Sequence, residues 1–238
     1  MSATKRQLRT RMHPDGDLGR PAQTRSNKNS DAAALILPGA TLEQLRKAVQ
    51  KCEGCDLYRY ATQAVFGRGP SPARIVMVGE EPGDKEDLAG EPFVGPAGHL
   101  LDRALQDAGI SRSDVYLTNA VKHFKFEERG KRRIHKKPSD TEIAACRPWL
   151  NAELDSIGPD LIICLGATAA RAVIGKQHRL LKERGRFFEH PRAKRVTATV
   201  HPSAILRAPD EERRHEDYAA FVDDLKAARK MLDTIAKS

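Results

Sequence analysis

The sequence predicts an α/β protein, a three-layer α/β/α arrangement around a mainly parallel central sheet over residues 39–238, preceded by a basic tail over residues 1–38. Three observations lead there. Short apolar runs alternate with helical periodicities along the chain, which is how parallel strands joined by crossover helices read. The runs are almost wholly apolar, as strands covered on both faces are. Glycine or polar residues follow the runs directly, at the carboxyl ends of strands, where ligands bind in such sheets. With 238 residues, 39% hydrophobic and 31% charged, the chain suits one substantial domain.

The elements follow in order. Thr41 and Gln44 form a capping box before a helix whose apolar face is Leu42, Leu45 and Val49. Residues 74–78 (RIVMV) are a buried strand ending at Gly79, followed by a Gly/Pro-rich loop, GEEPGDKEDLAGEPFVGPAG. Leu100, Leu101, Ala104, Leu105 and Ala108 mark a helix closed by Gly109. Residues 115–118 are a strand that delivers Asn119 into a basic loop, KRRIHKK, Lys131 to Lys137. Ser139 and Glu142 cap a helix running through Cys146, Leu150 and Leu154 to Gly158. A strand over 161–165 precedes a short helix over 167–174, and a strand over 195–200 ends at His201-Pro202-Ser203. Tyr218, Phe221, Leu225, Ala228, Leu232 and Ile235 give the last helix its apolar face. The topology brings Gly79–Gly83, Asn119 with the basic loop, Gly166–Thr168 and His201–Ser203 to one rim.

The formal net charge of +9 points to an acidic partner, with nucleic acid the first candidate. The first thirty residues carry seven Lys/Arg against two Asp and few large apolar side chains, which reads as a mobile extension able to add phosphate affinity. A transit peptide and a solvated extension without a role are the other readings of that tail. No apolar run approaches the ~20 residues that span a bilayer, so no membrane association and a cytoplasmic location are expected.

Four cysteines are present: Cys52 and Cys55 as C-x-x-C, with Cys146 on a helix and Cys164 in a strand. Disulfides are disfavoured without a secretion signal. A redox pair leaves two cysteines unexplained. A four-thiolate metal site uses them all, and one close pair with two dispersed ligands favours a [4Fe–4S] cluster modestly over zinc. Buried cysteines beside an incidental C-x-x-C stay open.

Taken together, Cys52-x-x-Cys55, GEEPG, EPFVGPAG, Asn119, Cys146, Cys164 and HPS resemble the iron–sulfur branch, family 4, of the uracil-DNA glycosylase superfamily. KRRIH resembles the signature loop of its UdgX subgroup. The likeness runs from about Lys51 to Arg207 and leaves the tail outside. It implies a monomer that extracts uracil from DNA, with a structural [4Fe–4S] cluster held by Cys52, Cys55, Cys146 and Cys164. The UdgX-like loop further implies that His135 joins covalently to the sugar carbon that lost its base.

The resemblance also distributes roles. The target base must leave the helical stack. Phe93 then offers an aromatic surface worth ~1–3 kcal/mol for a stacked base. Asn119 carries the donor and acceptor that the N3–H and O4 edge of uracil requires, and His201 donates to O2 as charge develops there. Gly79, Glu80 and Glu81 line the pocket with their backbone. Glu80 positions water and stabilises the sugar cation or, in a UdgX-like site, accepts the Nδ1 proton of His135 and frees Nε2 as the nucleophile. Asp84 assists with water or polarity, or simply forms a turn. Lys131, Arg132, Arg133, Lys136, Lys137 and Ser203 hold DNA phosphates. Glu81 departs from the pattern, since UdgX proteins carry Gln at that place and family 4 enzymes often Ala; like-charge repulsion beside Glu80 raises one carboxyl pKa, or Glu81 faces solvent. A turnover glycosylase that releases an abasic site is the close rival, and a non-catalytic, metal-stabilised nucleic-acid-binding module the more distant one.

Overall fold

The computed structural model describes residues 31–237; the basic segment over residues 1–30 lies outside them. The order is α1 (Ala32–Leu35), α2 (Leu42–Val49), β1 (Ile75–Gly79), α3 (Asp84–Ala89), α4 (Pro96–Asp107), β2 (Val115–Asn119), β3 (Phe126–Arg129), β4 (Arg132–His135), α5 (Asp140–Ile157), β5 (Leu161–Leu165), α6 (Ala167–Val173), α7 (Leu180–Glu183), β6 (Phe188–His190), β7 (Ala193–Thr199), α8 (Pro202–Leu206) and α9 (Glu211–Ile235). One sheet has the strand order β2-β1-β5-β7-β6 and is parallel except for β6, which pairs antiparallel with β7 at the edge. The expected α/β/α fold with a mainly parallel sheet is therefore present.

Alternation within each strand splits the core in two. Ile75, Met77, Leu161, Ile163 and Leu165 pack with α4 and α9 on one face. Val76, Val78, Ile162 and Cys164 pack with α5 and α6 on the other. Both capping boxes form, Thr41 with Gln44 and Ser139 with Glu142. A third cluster joins Ala32, Leu45, Val49, Cys52 and Cys146 around the fully buried Trp149.

Two expectations change here. Residues 31–38, expected in the basic tail, include α1, because Ala32 is buried and Leu35 and Ile36 pack on the Trp149 cluster. The basic stretch is a two-stranded hairpin instead of a loop: β3 pairs with β4, Phe126 opposite His135, and Gly130 turns at φ +61°.

Candidate active site

Parallel β1 and β2 end in register, Gly79 opposite Asn119. Backbone bonds from Ala120 N–H to Gly79 O (2.9 Å) and Val121 N–H to Glu80 O (3.1 Å) carry the pairing past the strand ends. The site opens there. A Cβ placed on Gly79 would lie 2.2 Å from Asn119 Oδ1 and 2.7 Å from Phe93 Cζ, so the two side chains meet over bare backbone. Phe93 reaches that place from a backbone at φ +58°, an uncommon conformation for a non-glycine residue and one that concentrates at functional sites. The Asn119 carboxamide has no hydrogen-bond partner among the described residues, which leaves its donor and acceptor for a ligand.

His201, at the end of the β7 segment, stacks against Phe93 with ring centroids 6.1 Å apart and planes 28° off parallel. Its Nδ1 accepts from Ser203 N–H (3.1 Å) and lies 2.7 Å from Ser203 Oγ. Because a backbone N–H can only donate, Nδ1 is unprotonated and the neutral ring carries its proton on Nε2. Burial, with Arg207 and His135 adding to it, lowers the His201 pKa to about 4. His201 is thus a neutral Nε2–H donor at ordinary pH. Ser203, expected on phosphate, orients this ring.

His135 ends β4 with Nε2 3.1 Å from Glu81 Oε1 and 3.8 Å from Glu80 Oε1. The nitrogen facing the carboxyls is Nε2, where Nδ1 was expected. Burial lowers its pKa, with Arg207 and Lys137 reinforcing the effect and Glu80 and Glu86 opposing it. Glu81 does not face solvent: its side chain is fully buried, with the Lys125 backbone N–H beside it. Burial and the adjacent Glu80 charge push its pKa up to about 10.

The basic run divides. Arg133, expected on phosphate, points inward. Its Nε donates to Asp84 (2.6 Å) and its Nη1 to the fully buried Asp87 (2.6 Å), and its guanidinium lies 5.4 Å from the Phe124 ring and 5.0 Å from the Phe126 ring. Asp84 thereby pairs with the hairpin. Lys136 pairs with Glu127 at 2.8 Å. Lys131, Arg132 and Lys137 are exposed and make no ion pair among the described residues, which suits them to an external anion.

Sequence reasoning missed two features. Asp87 accepts from Thr62 as well as Arg133 and so locks the hairpin to the pocket loop. Lys122 and Glu153, both fully buried, form an ion pair beneath the site; Lys122 Nζ also donates to Thr118 Oγ1 (2.7 Å) and Asn119 O (2.8 Å). The only available signal is a lysine or glutamate flanked by apolar neighbours, as in NAVKHF and LNAEL, and that is weak.

Cys52, Cys55 and Cys146 belong to the Trp149 cluster, whereas Cys164 sits on β5 in the neighbouring one. Leu42 and Ala172 pack against both clusters. Trp149 Nε1–H donates to Cys52 Sγ and the Lys122 backbone N–H to Cys146 Sγ, each at 3.2 Å, a donor pattern that fits thiolate ligands. Burial raises the free thiol pKa of Cys55 to about 11 and of Cys146 to about 12. Among the described residues no three His, Cys, Asp or Glu side chains converge as around one metal ion.

Residues 66–226 match the family model described as the uracil DNA glycosylase superfamily. The type-4 uracil-DNA glycosylase of Thermotoga maritima is 38% identical over 192 residues, 80% of this chain and 94% of that protein. The type-4 uracil-DNA glycosylase of Archaeoglobus fulgidus is 35% identical over 183 residues, 74% of this chain and 88% of that protein. A type-5 uracil-DNA glycosylase of Pyrobaculum aerophilum is 29% identical over 174 residues, 63% of this chain and 72% of that protein.

Proposed function

The chain belongs to the uracil-DNA glycosylase superfamily, and from that membership we propose that it excises uracil from DNA by turnover, releasing the base and an abasic site. The observation that carries the reading is the meeting of Asn119, Phe93 and His201 at Gly79, with an unengaged carboxamide, an aromatic face and an Nε2–H donor. A uracil in that space stacks on Phe93, pairs its N3–H and O4 with Asn119, and receives the His201 Nε2–H at O2. As the C1′–N1 bond breaks, its electron pair stays with the base, and the O2 donor stabilises the resulting anion. Glu80 supports positive character at C1′ and takes the proton of a water whose oxygen bonds to that carbon. Lys131, Arg132 and Lys137 hold the flanking phosphates. Cytoplasmic location and a monomeric state belong to the same proposal; no helix among the described residues is long and apolar enough to cross a membrane.

The N–H donors to Cys52 and Cys146 suit thiolate ligands, so Cys52, Cys55 and Cys146 from one core cluster, with Cys164 from β5, are the residues that would hold an iron–sulfur cluster. Such a cluster would supply a covalent tie between the N-terminal segment, α5 and the sheet. The N–H donors from Trp149 and Lys122 hold two of the sulfurs in place.

One observation favours a second reading, in which the protein traps its substrate as UdgX proteins do. His135, whose pKa burial lowers, lies with Nε2 3.8 Å from Glu80 on the rim of the pocket. A ring nitrogen bonds to C1′ as the C1′–N1 pair leaves with uracil, and the other ring nitrogen passes its proton to a carboxylate or solvent. Incubation with a uracil-containing single-stranded oligonucleotide followed by denaturing electrophoresis tests both readings. Alkali-labile abasic product with repeated cycles supports turnover. A heat- and detergent-resistant protein–DNA band lost in His135→Ser supports trapping. No release of uracil at any enzyme excess rejects both.

A further inference from the structure

Lys122 lies beneath the pocket with no exposed side-chain surface, and neither functional reading gives it a part. The chain from Asn119 to Lys122 is tied from several sides. Ala120 N–H donates to Gly79 O (2.9 Å), Val121 N–H to Glu80 O (3.1 Å) and Lys122 N–H to Cys146 Sγ (3.2 Å), and Lys122 O accepts from Val65 N–H (2.8 Å). The Lys122 side chain then returns three residues along the chain and donates from Nζ to Asn119 O (2.8 Å) and to Thr118 Oγ1 (2.7 Å). The peptide joining Asn119 to Ala120 is therefore held at both ends, its N–H by Gly79 and its carbonyl by Lys122. That fixes the backbone angle that aims the Asn119 carboxamide at Phe93 and Gly79.

We propose that Lys122 is the positioning residue for Asn119, its ammonium pinning the Asn119 carbonyl from below so that the carboxamide meets the base in one fixed orientation. Stability alone is a poor reason for a buried lysine, because a buried ion pair rarely outperforms apolar side chains of the same volume. What the pair supplies is a rigid donor where no water reaches. Glu153 sets that donor in place and is itself oriented by Gly67 N–H (2.9 Å), Tyr116 Oη–H (3.0 Å) and Thr118 Oγ1–H (2.9 Å). Tyr116, Thr118 and Asn119 all lie on β2, so the network holds the strand that carries the base-reading residue and the turn that follows it. The effect on uracil excision rests on the glycosylase reading; the hold on the Asn119 backbone in the free protein does not.

Two single variants separate this role from a purely structural one. Lys122→Met and Glu153→Gln both break the ion pair and both lower stability, but only the first removes the donor to Asn119 O. The assay is excision of uracil from a single-stranded oligonucleotide, with every protein held well below its unfolding transition. In Lys122→Met kcat/KM should fall at least about tenfold, and in Glu153→Gln it should stay within about threefold of the wild type. The loss should appear in kcat and not in KM, because exposed cations carry the affinity for DNA. The double variant, Lys122→Met with Glu153→Gln, leaves no unpaired charge and provides the reading where Lys122→Met does not fold; it should keep the low kcat. Equal losses in the two single variants, or a wild-type kcat in the double variant, overturn the proposal. Hydrogen exchange of the free, full-length protein, read by mass spectrometry, needs no activity. Relative to β5 in the same protein, residues 119–122 should exchange at least about tenfold faster in the double variant than in the wild type. No such difference also overturns the proposal. If the wild type releases no uracil, the glycosylase reading fails, and the exchange result still decides whether Lys122 holds Asn119.

Discussion

Replacing Lys122 by methionine isolates the buried ion pair beneath the site. Lys122 and Glu153 are both without solvent exposure, and Lys122 Nζ donates to Thr118 Oγ1 and Asn119 O besides the carboxylate. Glu153 keeps Tyr116 Oη–H (3.0 Å), Thr118 Oγ1–H (2.9 Å) and Gly67 N–H (2.9 Å) when the lysine is gone, but no countercharge. Removing one partner of a buried pair costs about 3–5 kcal/mol, most of it the desolvated charge left behind. For a chain of this size that lowers Tm by about 6–20 °C. Glu153→Gln alone strands the lysine at a similar cost. The double variant leaves no unpaired charge, so it recovers at least half of the summed losses. Thermal unfolding of all four proteins at one scan rate, followed by circular dichroism, measures the cycle. A loss under about 1 kcal/mol in Lys122→Met, or additive losses in the double variant, would refute the assignment of this pair as a coupled buried unit.

Three further outcomes follow from the geometry. Gly79→Ala inserts a methyl 2.2 Å from Asn119 Oδ1, and excision assays on uracil-containing DNA should show at least a hundredfold drop in kcat/KM with little change in Tm. Arg133→Met breaks the bonds to Asp84 and Asp87 and loosens the hairpin, so DNA affinity should fall without the change in salt slope that losing a phosphate contact gives; a slope reduced by about one would put Arg133 on phosphate after all. His123 is buried with a pKa lowered by burial to about 4, from about 6.5 for a free histidine. The unfolded chain therefore binds a proton that the native state refuses. Stability is full above about pH 6.5 and falls as pH drops toward 4, by up to about 3 kcal/mol from this group, with His201 acting in the same direction. Denaturation between pH 4 and 7 should show that loss reduced in His123→Leu, and an equal slope in that variant would contradict it.

Local patterns in the chain determined much of the framework. Apolar runs set β1, β2 and β5, and Thr41 with Gln44 and Ser139 with Glu142 marked helix starts that the structure reproduces. The glycine or polar residue after each parallel strand was enough to gather Gly79, Asn119 and His201 on one rim, because parallel strands share an end. These signals depend on neighbours a few positions apart. Charge placement does not. Arg133 reads like its exposed neighbours Lys131 and Arg132 until the fold brings Asp84, Asp87, Phe124 and Phe126 around it. Lys122 finds Glu153 thirty-one positions away. Glu81, adjacent to Glu80 in sequence, turns into the interior while Glu80 stays partly exposed. Composition alone determined that the chain is basic. Only tertiary packing decided which charges meet water and which are enclosed, since desolvation depends on the surroundings of the whole side chain and not on its place in the sequence.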